Sequence, residues 1–268
     1  MGHEERPDLA GYRVRRAVFE QAMAWAILFT ELLGRGKAVM YLIRKGLLRI
    51  CLLALLVGTS GGACSTARTD LRTESVVLDL PSPSLDGGMS LEAAIVRRRS
   101  VRAFTSEPLT LEQVGQLLWA AQGITAPNGL RAAPSAGALY PLELYVILPD
   151  GLYHYRPDGH RLTRLTAEDM RLAAWEAGLR QDALRAAPAV FLFTAVYART
   201  AERYGDRAPR YVHMEVGHAA QNLSLQAVAL GLGSVPIGAL EAASLQSALG
   251  LSDDHEPLYL LPVGYPSP

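Results

Sequence analysis

Beyond Lys45 the chain contains no lysine, and beyond Cys64 it contains no cysteine. The first absence removes Schiff-base catalysis and the phosphate-loop lysine from everything that follows. The second removes disulfides and thiolate metal sites from the same region. Neither sign of charge is in surplus, with 26 Lys and Arg against 26 Asp and Glu. No general attraction to nucleic acid is therefore expected, and any basic site must be local. The hydrolase nucleophile elbow is missing as well: it needs glycine two residues before the serine, and Ala133 stands there before Ser135. Gly231-Leu232-Gly233 follows a helical pattern where the dinucleotide fingerprint would have to open one. His213 and His218, with Glu215 and Glu241 available as further ligands, are five residues apart and fall on different helix faces. They read as core or interface histidines, and no metal site is expected.

What is present is a chain of 268 residues that is 50% hydrophobic, with room for one large domain or two small ones. Residues 40 to 64 run from basic (Arg44, Lys45, Arg49) through an apolar stretch, Ile50 to Val57, to small residues ending at Gly62-Ala63-Cys64. That is the layout of a secretory signal, and its apolar core is short for a bilayer span. The end resembles a bacterial lipoprotein cleavage site with a lipidated Cys64, except that Gly61 stands where leucine is usual. The same run fits an uncleaved anchor or a buried helix. Translation starting at Met40 would put the signal at the N-terminus; alternatively Arg15-Arg16 faintly resembles a twin-arginine signal, against which Gln21 and Glu31 count. The expectation is a leader or membrane anchor over 1–64 and a linker and arm over 65–88, with Val76 to Leu80 as an edge strand. The remaining 89–268 forms one domain. Placement is at the cell envelope if the leader is used, and cytoplasmic otherwise.

Within that domain Ser90 caps a helix through Val96, and Thr110 with Gln113 forms a capping box for a second helix ended by Gly123. Strands are expected at 142–148, 152–155, 161–165, 189–197 and 258–263, with helices at 167–185, 211–230 and 241–249. A polar loop is expected over 199–209. The helix from Tyr211 to Leu230 has so little polar surface that it should be central.

The densest chemistry lies after the first helix, in Arg97-Arg98-Arg99-Ser100-Val101-Arg102. Guanidinium forks and a hydroxyl suit phosphate oxygens, although cations in a last helical turn are also favoured by the macrodipole alone. This cluster, the small-residue loop Pro134-Ser135-Ala136-Gly137-Ala138-Leu139-Tyr140-Pro141, Arg203-Tyr204-Gly205, Gly217 to Leu223 and Pro236-Ile237-Gly238 together resemble the flavin-dependent nitroreductase family. Within it they look like the SagB-type dehydrogenase branch, over roughly residues 89 to 265.

The resemblance implies an α+β fold, with a central mixed or antiparallel sheet flanked by helices and a long helix at the core of a homodimer. FMN would bind between protomers, and NAD(P)H is one candidate donor. Arg98, Arg99, Ser100 and Arg102 match the family's phosphate segment. Ser135, Ala136 and Gly137 match the loop beside the flavin ring, and Gln181 is assigned to its pyrimidine edge. Pro236, Ile237 and Gly238 match the segment whose amide faces N5. The activity implied is transfer of hydride or electrons to or from a small organic substrate. Azoline oxidation in a modified peptide and non-catalytic flavin binding at the envelope are the alternatives. Two departures stand out. Azoline-oxidising relatives carry a lysine-tyrosine pair where this chain has Arg203-Tyr204, and arginine stays protonated near neutral pH. The basic residues that many relatives carry near the C-terminus are also missing from Gly264 to Pro268.

Overall fold

The computed structural model describes residues 76–268. The leader, Met40, Arg15-Arg16, Cys64 and residues 65–75 lie outside the described residues. Among the described residues no helix is long and apolar enough to cross a membrane.

Strand β1 (Val77–Asp79) pairs antiparallel at the sheet edge, within the stretch expected to form an edge strand. Helix α1 (Leu91–Arg97) begins where Ser90 Oγ accepts the Ala93 amide, and it carries Glu92 in its first turn and Arg97 in its last. Helix α2 (Leu111–Gln122) has both arms of the Thr110–Gln113 capping box. There follow β2 (Leu142–Leu148), β3 (Gly151–Arg156), β4 (Arg161–Thr166), α3 (Arg171–Ala177), α4 (Asp182–Ala186), β5 (Ala189–Ala195), α5 (Tyr197–Tyr204), α6 (Ala208–Ala229), β6 (Gly233–Ser234), α7 (Ala242–Ala248) and β7 (Glu256–Gly264). The seven strands form one sheet in the order β1-β4-β3-β2-β5-β7-β6, and every ladder is antiparallel.

Strand β5 sits in mid-sheet with all seven residues buried. Its side chains alternate between faces, as a two-residue period requires. Phe191 and Phe193 join the core under α2 and α6, while Val190 and Leu192 join the core under α3, α4 and α7. The α+β expectation holds, with an antiparallel sheet.

Two local expectations fail. The helix foreseen over 167–185 is two helices, because Leu179 and Arg180 adopt φ of 57° and 56° and turn the chain out of the α region. The loop foreseen over 199–209 is mostly α5 and a tight 3-10 turn, and the long helix begins at Ala208, three residues earlier than expected. Helix α5 is polar apart from one thin seam, with Thr200 as its one buried residue, so composition disguised it.

Candidate functional site

The arginine segment is an extended run leaving α1. Ser100 forms a parallel bridge with Ser234, and the Val101 amide donates to the Ser234 carbonyl at 3.0 Å. Gly233 lets Val101 pack on the backbone there; a Cβ would come within 2.7 Å of it. Farther on, the Thr105 amide donates to the Tyr265 carbonyl and the Ser267 amide to the Ala103 carbonyl. The backbone is thus held at both ends while Arg99, Ser100 and Arg102 stay exposed and Arg98 is half-buried. None of these arginines has a carboxylate partner among the described residues. Arg99 Nη1 donates only to the carbonyls of Val96 and Arg98. Among the described residues no carboxylate compensates the cluster's positive charge.

From Ser234 the chain continues to Pro236-Ile237-Gly238. Proline has no N–H, and the Ile237 amide is committed to the Leu260 carbonyl at 2.8 Å. Gly238 is exposed and its amide has no backbone acceptor among the described residues, so it is the segment's one free donor. Gln181 braces this run through Nε2, which donates to the Gly178 and Ala239 carbonyls at 3.0 and 3.3 Å. Its side-chain oxygen remains available as an acceptor.

The second group surrounds the loop before β2. Gly137, Ala138 and Tyr140 have φ of 63°, 54° and 47°, a strained succession for a stretch with only one glycine. Tyr140 is clamped from four directions. Its amide donates to Ser135 Oγ at 2.9 Å, its hydroxyl accepts the Arg131 amide at 3.1 Å, its ring lies 4.6 Å beneath the Arg131 guanidinium, and its carbonyl accepts Arg199 Nη1 at 3.1 Å. At Gly137 a Cβ would meet Arg203 Nη1 and Tyr204 Oη at about van der Waals contact or closer, 2.9 and 3.1 Å. The structure therefore brings Ser135, Ala136 and Gly137 together with Arg203 and Tyr204.

One half-buried and one buried carboxyl support this group, and sequence reasoning assigned a role to neither. Glu143 lies on β2, 2.7 Å from His154 Nε2 and 2.5 Å from Arg199 Nη2. Burial alone would raise its pKa, but hydrogen bonds from His154 and Arg199 outweigh that and lower it to about 2. Arg199 thus ties both α5 and the Tyr140 carbonyl to the sheet. Glu215, on the buried stripe of α6, is only 2% exposed. Burial raises its pKa to about 7 against the opposing influence of Ser135, Arg131 and Gln122. The sequence signal for both was an acid inside an apolar pattern: Leu142-Glu143-Leu144 in a strand, and Glu215 between Val212 and Val216 in a helix. His213 and His218 are exposed, and His213 Nε2 lies 2.8 Å from Tyr197 Oη. Among the described residues no cluster suits a metal ion.

The two groups lie at opposite ends of the sheet. Ser234 is beside Val263, which pairs with Ala189 at the start of β5. Tyr140 and Pro141 lie beyond Leu142, which pairs with Ala195 at its end. Six residues of extended β5 separate those levels, roughly 20 Å.

The profile described as "Nitroreductase family" matches residues 95–265. A Methanocaldococcus jannaschii protein that carries the nitroreductase name is 43% identical over 182 residues, covering 66% of this chain and 91% of that protein. The trifolitoxin-processing protein TfxB of Rhizobium leguminosarum bv. trifolii is 34% identical over 113 residues, which is 38% of this chain and 30% of that longer protein. Among solved structures, a Ralstonia eutropha protein titled as a nitroreductase superposes with a TM-score of 0.67 at 33% identity, covering 72% of this chain and 90% of that one.

Proposed function

Because the chain belongs to the nitroreductase family, and is thereby an oxidoreductase, we propose that it uses FMN to pass hydride or electrons from a donor such as NAD(P)H to a small organic acceptor. Quinones, nitro compounds and enones are the acceptor classes. The observation that carries this reading is the uncompensated arginine-serine cluster, joined by one backbone bridge to the run that ends in the free Gly238 amide. These residues fit FMN. Arg98, Arg99, Ser100 and Arg102 offer the donors and the charge that a phosphate dianion needs, in a domain with no lysine to share the task. Gly238 offers a directional donor where negative charge would develop on a reduced ring, and Gln181 offers an acceptor beside it. The bound flavin supplies the two-electron chemistry, and the protein supplies orientation and electrostatics.

The distance between the two groups supports a homodimer, in which the Ser135–Gly137 loop of a second copy closes over the ring held by the first. Helix α6 has an exposed face suited to that contact, with Met214, Gly217, His218 and Gln221 outermost. Nothing would obstruct a partner at Gly217, where a Cβ meets no atom within 4 Å. In such a site Tyr204 would stand as hydrogen-bond donor or proton carrier, with Arg203 a fixed cation beside it.

The likeness to TfxB favours a second reading within the SagB-type branch, oxidation of azoline rings in a modified peptide. It requires Tyr204 to take part in removing a substrate proton, so wild-type rates in Tyr204→Phe would reject it. The main reading is tested by absorbance. Purified protein should show the flavin spectrum, or gain it on addition of FMN, and Arg98→Ala and Arg102→Ala should each weaken FMN binding about tenfold or more. A chain that stays colourless with FMN supplied would overturn the assignment.

A further inference from the structure

The buried stripe of α6 includes Val212, Val216, Ala219, Ala220, Leu223 and Ala227, with one carboxyl, Glu215, among them. Packing alone gives no reason for it. A carboxyl in such a place costs free energy unless it is neutral or fully hydrogen-bonded, and Glu215 Oε1 has no hydrogen-bond partner. Its neighbour Gln122, wholly buried on α2, also has an unpartnered side-chain nitrogen, while its oxygen accepts Arg131 Nη1 at 2.9 Å. The charged group facing Glu215 is Arg131, from the loop after α2; Gln122 and Ser135, from α2 and the strained loop, are neutral. Tyr140, the other titratable group packed here, is occupied by the Arg131 amide at its hydroxyl.

Ser135, half-buried in the strained loop, is among the groups that act on this carboxyl. Its Oγ accepts the Tyr140 amide, which leaves its own proton free to point either toward Glu215 or outward. Reduction of a quinone or enone takes up a proton as well as a hydride. Arg203 cannot release one at ordinary pH.

We propose that Glu215 stores the proton consumed when the acceptor is reduced, and passes it to the site through the Ser135 hydroxyl. This rests on the oxidoreductase reading above. A bound flavin would supply the hydride that forms a C–H or O–H bond on the acceptor. The Ser135 O–H bond breaks as its proton moves to the acceptor oxygen. Ser135 Oγ takes the proton of the Glu215 carboxyl, leaving a carboxylate facing Arg131, and solvent later returns a proton to it. The two electrons that reduce the acceptor would come from the bound flavin. Ser135 would touch the substrate; Glu215 acts through it.

The test uses flavin-loaded full-length protein, with p-benzoquinone oxidising the reduced enzyme in a stopped-flow instrument across pH 5 to 9. Wild type should slow as pH rises through neutrality. Glu215→Gln should keep its flavin spectrum yet react about 100-fold more slowly at pH 6, with a flat profile, and Ser135→Ala should behave alike. Glu215→Asp should restore the pH dependence. Infrared spectra, which need no turnover, should show a buried carboxylic-acid band that titrates near neutral pH and is missing from Glu215→Gln. Flavin-loaded Glu215→Gln with the wild-type profile would overturn this inference alone, as would a wild-type protein with no such infrared band, which covers the case of a variant that fails to fold. Protein that refuses FMN would overturn the reading beneath it as well.

Discussion

Two carboxylates of the same loop-supporting group are pushed in opposite directions, and the sign of each effect is fixed by its surroundings. Glu143, held near 2 by His154 and Arg199 against the cost of burial, contributes stability that is full above the unfolded carboxylate value and is lost as pH falls from about 5 through 2. Glu215, raised to about 7 by burial, keeps a proton in the folded state that the unfolded chain has already released. Stability therefore declines as pH rises from about 4.5 and levels off above 7. Each effect is on the order of 3 kcal/mol at its limit. Thermal melts should peak in mildly acidic buffer. Glu215→Gln should flatten the decline toward neutrality, and Glu143→Gln should flatten the decline toward acid while lowering stability at pH 7. Neither residue could be assigned from sequence, because Glu143 meets Arg199 and Glu215 meets Arg131 only through the tertiary fold. Motif resemblance picked out the loop that carries Ser135 and Gly137, but the Tyr140 clamp that shapes it could not be read from sequence.

Elements whose signals are local were read well. The Thr110–Gln113 capping box occurs as its spacing implies, and Gln113 also donates to Tyr265 Oη at 2.9 Å, fastening α2 to the C-terminal segment. Thr110→Ala should cost about 1 kcal/mol and lower the melting temperature by roughly 2–4 °C. An unchanged melt would mean that tertiary packing alone holds this end of α2. Strands β2 and β5 were legible because buried strands need continuous apolar runs. Helix α5 was not, because its helical state depends on being held against α6 and on Arg199 reaching Glu143, two conditions set outside its own sequence. The break at Leu179 and Arg180 was equally hidden, since neither residue type announces a positive φ.

At the scale of the molecule, one chain holds the arginine group and the loop group roughly 20 Å apart along the sheet, and the proposed two-fold assembly would join them. Such a dimer makes a complementation experiment decisive. A chain carrying Arg98→Ala and Arg102→Ala, and another carrying Ser135→Ala and Tyr204→Phe, should each be weak as homodimers. After subunit exchange, half of the dimers should be mixed and each should hold one intact site, restoring about a quarter of wild-type turnover. No recovery on mixing would mean that each chain works alone. Within one chain, the parallel bridge at Ser100 has a consequence for selectivity. Because the arginine run is bridged to Ser234, four residues and at most roughly 13 Å from Gly238, the proposed FMN site would act as a caliper. A flavin lacking its phosphate would then satisfy only one jaw, and a phosphorylated molecule with a shorter arm only the other.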